Sequence, residues 1–122
     1  MADEPCNIDH GWLRVCSIEE LACPGVRTLA LHELNVAVFR LANGRLCAVE
    51  DRCPHRGARL SAGVIYDGDK VACLDHGWGI RLVDGGVELP ERGCVRTFHV
   101  KVEEGFVCVL IQDGESLACL TG

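Results

Sequence analysis

Cys53-Pro54-His55 and Cys73-Leu74-Asp75-His76-Gly77-Trp78 are the stretches whose reading decides the fold. Each carries one thiol and one imidazole, at C-x-H and C-x-x-H spacing. Each therefore puts a soft anionic ligand and a neutral nitrogen ligand within reach of one small metal centre, and such a set could serve zinc or iron. Positions 56–72 between the two stretches read as loop, strand, turn, strand. Val64-Ile65-Tyr66 and Val71-Ala72-Cys73 flank Asp67-Gly68-Asp69, a hairpin whose base brings the two ligand pairs together and anchors Cys73 at a strand end.

Outward from that centre, the chain alternates short apolar runs with turn residues. Trp12, Leu13 and Val15 begin a strand from Gly11 to Cys16, and Ser17-Ile18-Glu19-Glu20-Leu21 reads as one helical turn capped by Ser17 with Glu20 three residues on. Cys23-Pro24-Gly25 breaks the chain before apolar strands over 26–31 and 35–41. Asn43-Gly44 predicts a two-residue hairpin turn joining Val36–Leu41 to Arg45–Val49, which delivers the chain to the first ligand stretch. Downstream, Ile80–Val83 and Val87–Leu89 flank the turn Asp84-Gly85-Gly86, and Pro90 to Gly93 form a loop. A last hairpin of Val95–Val102 and Phe106–Ile111 turns at Glu103-Glu104-Gly105, and the tail from Gln112 has no regular pattern. Short strands with evenly spaced turns predict an all-β sandwich or barrel.

A chain of 122 residues fits one domain. No apolar run approaches the roughly 20 residues of a membrane helix, so no membrane is expected. The start Met1-Ala2-Asp3-Glu4-Pro5 has neither a basic region nor an apolar segment, which predicts a cytoplasmic protein. The net charge of −6 argues against nucleic acid as a partner, since phosphate binding needs a clustered basic face. Arg52, Arg56 and Arg59 are a local exception, a basic rim beside the first ligand stretch able to steer an acidic surface. Of the nine cysteines, seven remain after Cys53 and Cys73, an odd number, and they are expected to be free thiols. Cys16, Cys47 and Cys108 sit in apolar runs as small hydrophobes; Cys6 and Cys119 lie near the ends. His10, His32 and His99 have no cysteine at ligand spacing and receive no role.

The order of the ligands separates iron from zinc. Zinc fingers keep like ligands together, two Cys and then two His; here the order is Cys, His, Cys, His. That interleaving resembles the Rieske family, in which one iron of a [2Fe-2S] cluster carries two thiolates and the other two imidazoles. The resemblance assigns Cys53 and Cys73 to one iron and His55 and His76 to the other. Two ferric ions, two sulfides and two thiolates sum to zero charge, against minus two with four thiolates, so the mixed set takes an electron more readily. Such centres span roughly −150 to +300 mV against about −400 mV for plant-type clusters. High-potential members carry an extra disulfide-bonded Cys in each loop; here Ala58 or its neighbours and Asp75 stand there, which implies a low-potential centre. Gly57, Gly77 and Gly79 suit backbone N–H donation to cluster sulfurs, and Trp78 would cover the site.

Further motifs sharpen the likeness. Cys53-Pro-His-Arg-Gly57, Leu60-Ser61, Gly63, Gly93-Cys-Val-Arg-Thr97, Val100-Lys-Val-Glu103 and Gly105 resemble the branch formed by the small subunit of NAD(P)H-dependent nitrite reductase. Some members of that branch lack the ligands, whereas all four are present here; Leu74 replaces the usual Pro after the second Cys. The resemblance implies a single Rieske domain over 1–122, an all-β sandwich with a small cluster-binding subdomain whose loops lie within 52–79. It implies an electron-transfer subunit, with nitrite reduced to ammonia on a large siroheme and flavin subunit. With no G-x-G-x-x-G fingerprint this chain does not oxidise NAD(P)H and holds no catalytic residue of its own. Two other readings fit the same residues: a free-standing Rieske ferredoxin supplying a ring-hydroxylating oxygenase, and a structural zinc module for protein interaction.

Overall fold

The computed structural model describes residues 12–31, 34–53, 58–74, 77–88 and 93–111. The expectations placed on Cys6, His10, His32, His55, Arg56, Gly57, Asp75, His76, Pro90 and the tail from Gln112 lie outside those residues. Among the described residues ten strands carry the fold: β1 Trp12–Ser17, β2 Gly25–Ala30, β3 Asn35–Arg40, β4 Leu46–Glu50, β5 Val64–Tyr66, β6 Lys70–Ala72, β7 Gly79–Arg81, β8 Thr97–Phe98, β9 Val100–Glu103 and β10 Phe106–Leu110. They form three sheets, ordered β1-β10-β9, β2-β3-β4-β8 and β5-β6-β7, with every pairing antiparallel. Apart from two single-turn 3-10 segments at Ile18–Glu20 and Leu60–Ala62, no helix occurs among the described residues. The architecture is all-β, as the sequence predicts.

The layering follows from period-two alternation on β3, which is apolar on both faces. Val36 and Val38 pack with Leu13, Cys16, Leu21, Ala48, Phe98, Val107 and Val109, joining the β2-β3-β4-β8 sheet to the β1-β10-β9 sheet. Ala37 and Phe39 point the other way, into a second core with Cys47, Val49, Leu60, Val71, Ile80, Leu82 and Val95. Sheet β2-β3-β4-β8 is thus the middle layer. The small sheet β5-β6-β7 lies against its outer face and carries the ligand loops.

Three local readings are corrected. The expected strand Val95–Val102 is two strands in different sheets, because Phe98 pairs with Ala48 while Val100 pairs with Val109; the exposed His99 stands at the crossing, its carbonyl accepting from Leu110 N–H at 2.9 Å. The Asn43-Gly44 hairpin has a three-residue loop, since Leu41 N–H still reaches Arg45 O at 2.8 Å. Only Gly44, at φ +93°, takes the left-handed conformation, while Asn43 Oδ1 accepts from Arg45 N–H at 2.9 Å. The two-residue turn with positive φ at both positions is the last one, Glu104 at +55° and Gly105 at +83° between the paired Glu103 and Phe106. At the first turn, Ser17 N–H donates to Glu20 Oε1 at 3.2 Å, as the Ser17-to-Glu20 spacing predicts.

Candidate metal centre

β4 runs out of the middle sheet into the first ligand loop. Asp51 N–H still bonds to Asn35 O at 2.8 Å, so the strand direction persists two residues before Cys53. Cys53 N–H then donates to Ala58 O at 2.7 Å, which closes the loop around positions 54–57. β6 delivers the second loop. Cys73 N–H donates to Trp78 O at 2.9 Å and Gly77 N–H to Cys73 O at 2.8 Å, with Gly77 at φ +73°, so this loop turns back through a conformation that favours glycine.

The hairpin between the loops does what its sequence predicts. Val64 pairs with Ala72 and Ala72 with Gly79, so β6 is central and both ends of the second loop are fixed in one sheet. Two glycines are fixed by crowding. A Cβ at Gly63 would run into Ala72 O, and one at Gly79 into Tyr66 Oη. Gly79 lies against the hydroxyl end of the β5 tyrosine, so a side chain there would have to displace Tyr66.

Cys53 is 1% exposed and Cys73 2% exposed; both belong to the core around Phe39, and neither is in a disulfide. A buried thiolate is costly without a compensating cation or donors. Two of them in one apolar core, each at the end of a loop closed by its own backbone, fit the paired-thiolate half of a [2Fe-2S] centre. His55 and His76, the expected imidazole half, lie outside the described residues. Trp78 is half-buried and packs against the same core, consistent with a wall beside the site. Leu74, immediately after Cys73, is 65% exposed.

Electrostatics around the first loop differ from the expected basic rim. Arg52 is exposed, but Arg59 is paired: its Nε donates to Asp51 Oδ2 at 3.2 Å. Asp51 also accepts Ser61 N–H on Oδ1 and Ser61 Oγ–H on Oδ2, both at 2.7 Å, and its side chain has no exposed surface. Asp51 was not among the residues singled out from sequence. In the run Glu50-Asp51-Arg52 it reads as one more solvated charge, and the available signal was an acid two residues before a ligand with Arg59 and Ser61 just past the loop.

The remaining cysteines divide. Burial pushes the thiols of Cys16, Cys47 and Cys108 up, which keeps them neutral and hydrophobe-like, as expected. Cys94 is disulfide-bonded, which corrects the free-thiol expectation. It is half-buried in the segment that bridges to Gly86.

Comparison with known proteins gives the family. A family model described as Rieske [2Fe-2S] domain matches residues 11–99. The protein TIC 55, chloroplastic, of Pisum sativum is 34% identical over 90 residues, covering 66% of this chain and 16% of that protein. The vanillate O-demethylase oxygenase subunit of Pseudomonas sp. (strain HR199 / DSM 7063) is 33% identical over 111 residues, 87% of this chain and 31% of that protein. The chain spans less than one third of the length of either relative. Among solved structures, a chain of the complex of reduced oxygenase and oxidized ferredoxin in carbazole 1,9a-dioxygenase matches with a TM-score of 0.77 at 31% identity, covering 88% of this chain and 97% of that one. These similarities are to oxygenase-type and ferredoxin-type Rieske proteins, and they do not support the nitrite reductase branch.

Proposed function

The chain belongs to the Rieske [2Fe-2S] family and binds a Rieske-type cluster, and from that premise we propose that it is a one-electron carrier of the ferredoxin type, passing electrons to an oxygenase that hydroxylates an organic ring. The bound group supplies reversible one-electron chemistry; the chain's own residues hold it, shield it and present it. Cys53 and Cys73 are held in the core beside Phe39, which excludes water from the thiolate side. The exposed Leu74 leaves an apolar contact point next to the second ligand loop. A resident cluster also sets aside the structural zinc module.

One observation carries the choice of partner: the match spans 97% of a chain from an oxygenase–ferredoxin complex, but only 31% of an oxygenase subunit. The rival reading, the small subunit of NAD(P)H-dependent nitrite reductase, rests on Gly93-Cys94-Val95-Arg96-Thr97. Part of that segment has a structural task. Val95 is 4% exposed in the core that holds the ligand thiols, Val95 N–H bonds to Gly85 O at 2.8 Å, and Gly93 O accepts from Val87 N–H at 3.1 Å. Residues bracing the Gly85–Val87 turn serve any Rieske domain of this shape, so they discriminate weakly between branches.

The test is an electron-transfer assay. The protein, reduced anaerobically with dithionite and freed of excess, is mixed in a stopped-flow instrument with the oxygenase component of carbazole 1,9a-dioxygenase or with the siroheme subunit of nitrite reductase. Faster recovery of the oxidised spectrum with the oxygenase is the expected result. Recovery with the siroheme subunit alone establishes the rival, and recovery with neither overturns both.

A further inference from the structure

The two ligand loops are closed by different chemistry. The second is tied by two backbone hydrogen bonds, Cys73 N–H to Trp78 O and Gly77 N–H to Cys73 O, at 2.9 and 2.8 Å. Among the described residues the first has the bond from Cys53 N–H to Ala58 O at 2.7 Å and adds a carboxylate clamp. Asp51 stands on the incoming stem, 4% exposed, and its two oxygens take three donors from the outgoing stem: Ser61 N–H and Ser61 Oγ–H at 2.7 Å and Arg59 Nε–H at 3.2 Å. An ionised carboxylate accepting several short bonds holds its donors more firmly than neutral pairs do. With its own side chain wholly buried, it has little room to relax.

We infer that Asp51 is the positioning residue of the cluster: it ties the two stems of the first ligand loop together, so presenting Cys53, and places one fixed negative charge, partly offset by Arg59, two residues before that thiol. The charge has its own consequence. A buried anion near a redox centre opposes the arriving electron and holds the potential down, while the guanidinium of Arg59, whose side chain is 56% exposed, offsets part of that.

The inference rests on the cluster and not on which partner receives its electrons; wild-type protein lacking a Rieske-type paramagnetic resonance signal would overturn the cluster itself, a separate failure. Three variants of the full chain test the clamp: Asp51→Asn, Ser61→Ala and Arg59→Gln. For each, the half-life of the visible bands under an iron chelator, the resonance spectrum of the reduced form and the reduction potential are measured beside the melting temperature. Val107→Ala, in the opposite core, calibrates what plain destabilisation does to these readings. Asp51→Asn is expected to lose the cluster several-fold faster and to shift the potential upward, and Arg59→Gln to shift it downward. Ser61→Ala should shorten the half-life with the smallest shift. Opposite shifts from Asp51→Asn and Arg59→Gln are a signature that general loosening does not produce. Half-lives that only track melting temperature as in Val107→Ala, with potential and resonance spectrum unmoved, would overturn the proposal. If Asp51→Asn does not fold, Arg59→Gln and Ser61→Ala decide by the same criteria.

Discussion

The two faces of β3 bury apolar side chains equally well, yet they close two different kinds of core. Val36 and Val38 enter a core built mainly by the two larger sheets, with Leu13, Phe98, Val107 and Val109. Ala37 and Phe39 enter one that includes Cys53 and Cys73, so part of its structure depends on what the thiolates hold. The first core is complete when the chain folds; the second is complete only with its cofactor, because buried thiolates without metal face an uncompensated desolvation cost. Stability and redox function are thereby separated by a single strand one side chain thick.

Breaking the cofactor side should produce the largest effect. Cys73→Ser removes a thiol that we propose as an iron ligand and that weak loop contacts cannot replace, so the visible bands and the resonance signal should vanish completely. The far-ultraviolet dichroism of the β1-β10-β9 and β2-β3-β4-β8 sheets should persist. A variant that kept its cluster would remove Cys73 from the ligand set, and one that lost all β signal would mean that the two cores are not separable.

Next in size is Phe39→Ala. Phe39 is 1% exposed at the centre of the cofactor-bearing core, and truncation of a buried aromatic costs about 3 to 5 kcal/mol. Urea denaturation should show that loss together with lower cluster occupancy, since the vacated volume lies in the core that holds Cys53 and Cys73. Val38→Ala, one residue away and on the other face, should cost about 2 kcal/mol with unchanged cluster absorbance per chain. Equal loss of cluster in the two variants would break the distinction between the faces.

How much of this was legible in sequence depended on the range of the interactions involved. The ligand spacing at Cys53 and Cys73 and the apolar run Val36-Ala37-Val38-Phe39 are local patterns, and both led to the right fold. The split at His99 was not legible, because Thr97-Phe98 and Val100-Lys101 look like one strand until their partners, β4 in one sheet and β10 in the other, are known. The loop length at Asn43-Gly44 depended on whether Leu41 and Arg45 stay paired, which the dipeptide alone does not encode. Asp51 was hidden for a different reason: a charged residue between two others carries no sequence mark of burial, and only the fold brings Ser61 and Arg59 to its oxygens. The branch assignment failed similarly, since Val95 is set by packing as much as by ancestry.

The smallest expected effect compares the two cores through their buried thiols. Burial pushes Cys47, in the cofactor-bearing core, and Cys16, in the other, above the ordinary thiol value of 9.0. The sign follows from linkage: a folded-state pKa above the unfolded one gives stability that is full below about pH 9 and is lost as pH rises through the folded value, because only the unfolded chain releases the proton early. Urea midpoints should therefore fall between about pH 8 and about pH 10. Cys16→Ala should flatten that decline slightly while leaving the cluster spectrum intact at both values. Cys47→Ala should flatten it too, but with some change in cluster half-life, because Cys47 shares its core with both ligand thiols. Identical spectra and half-lives for the two variants would show that the cofactor-bearing core transmits nothing from Cys47 to the metal, and would confine the coupling to the residues that close the ligand loops.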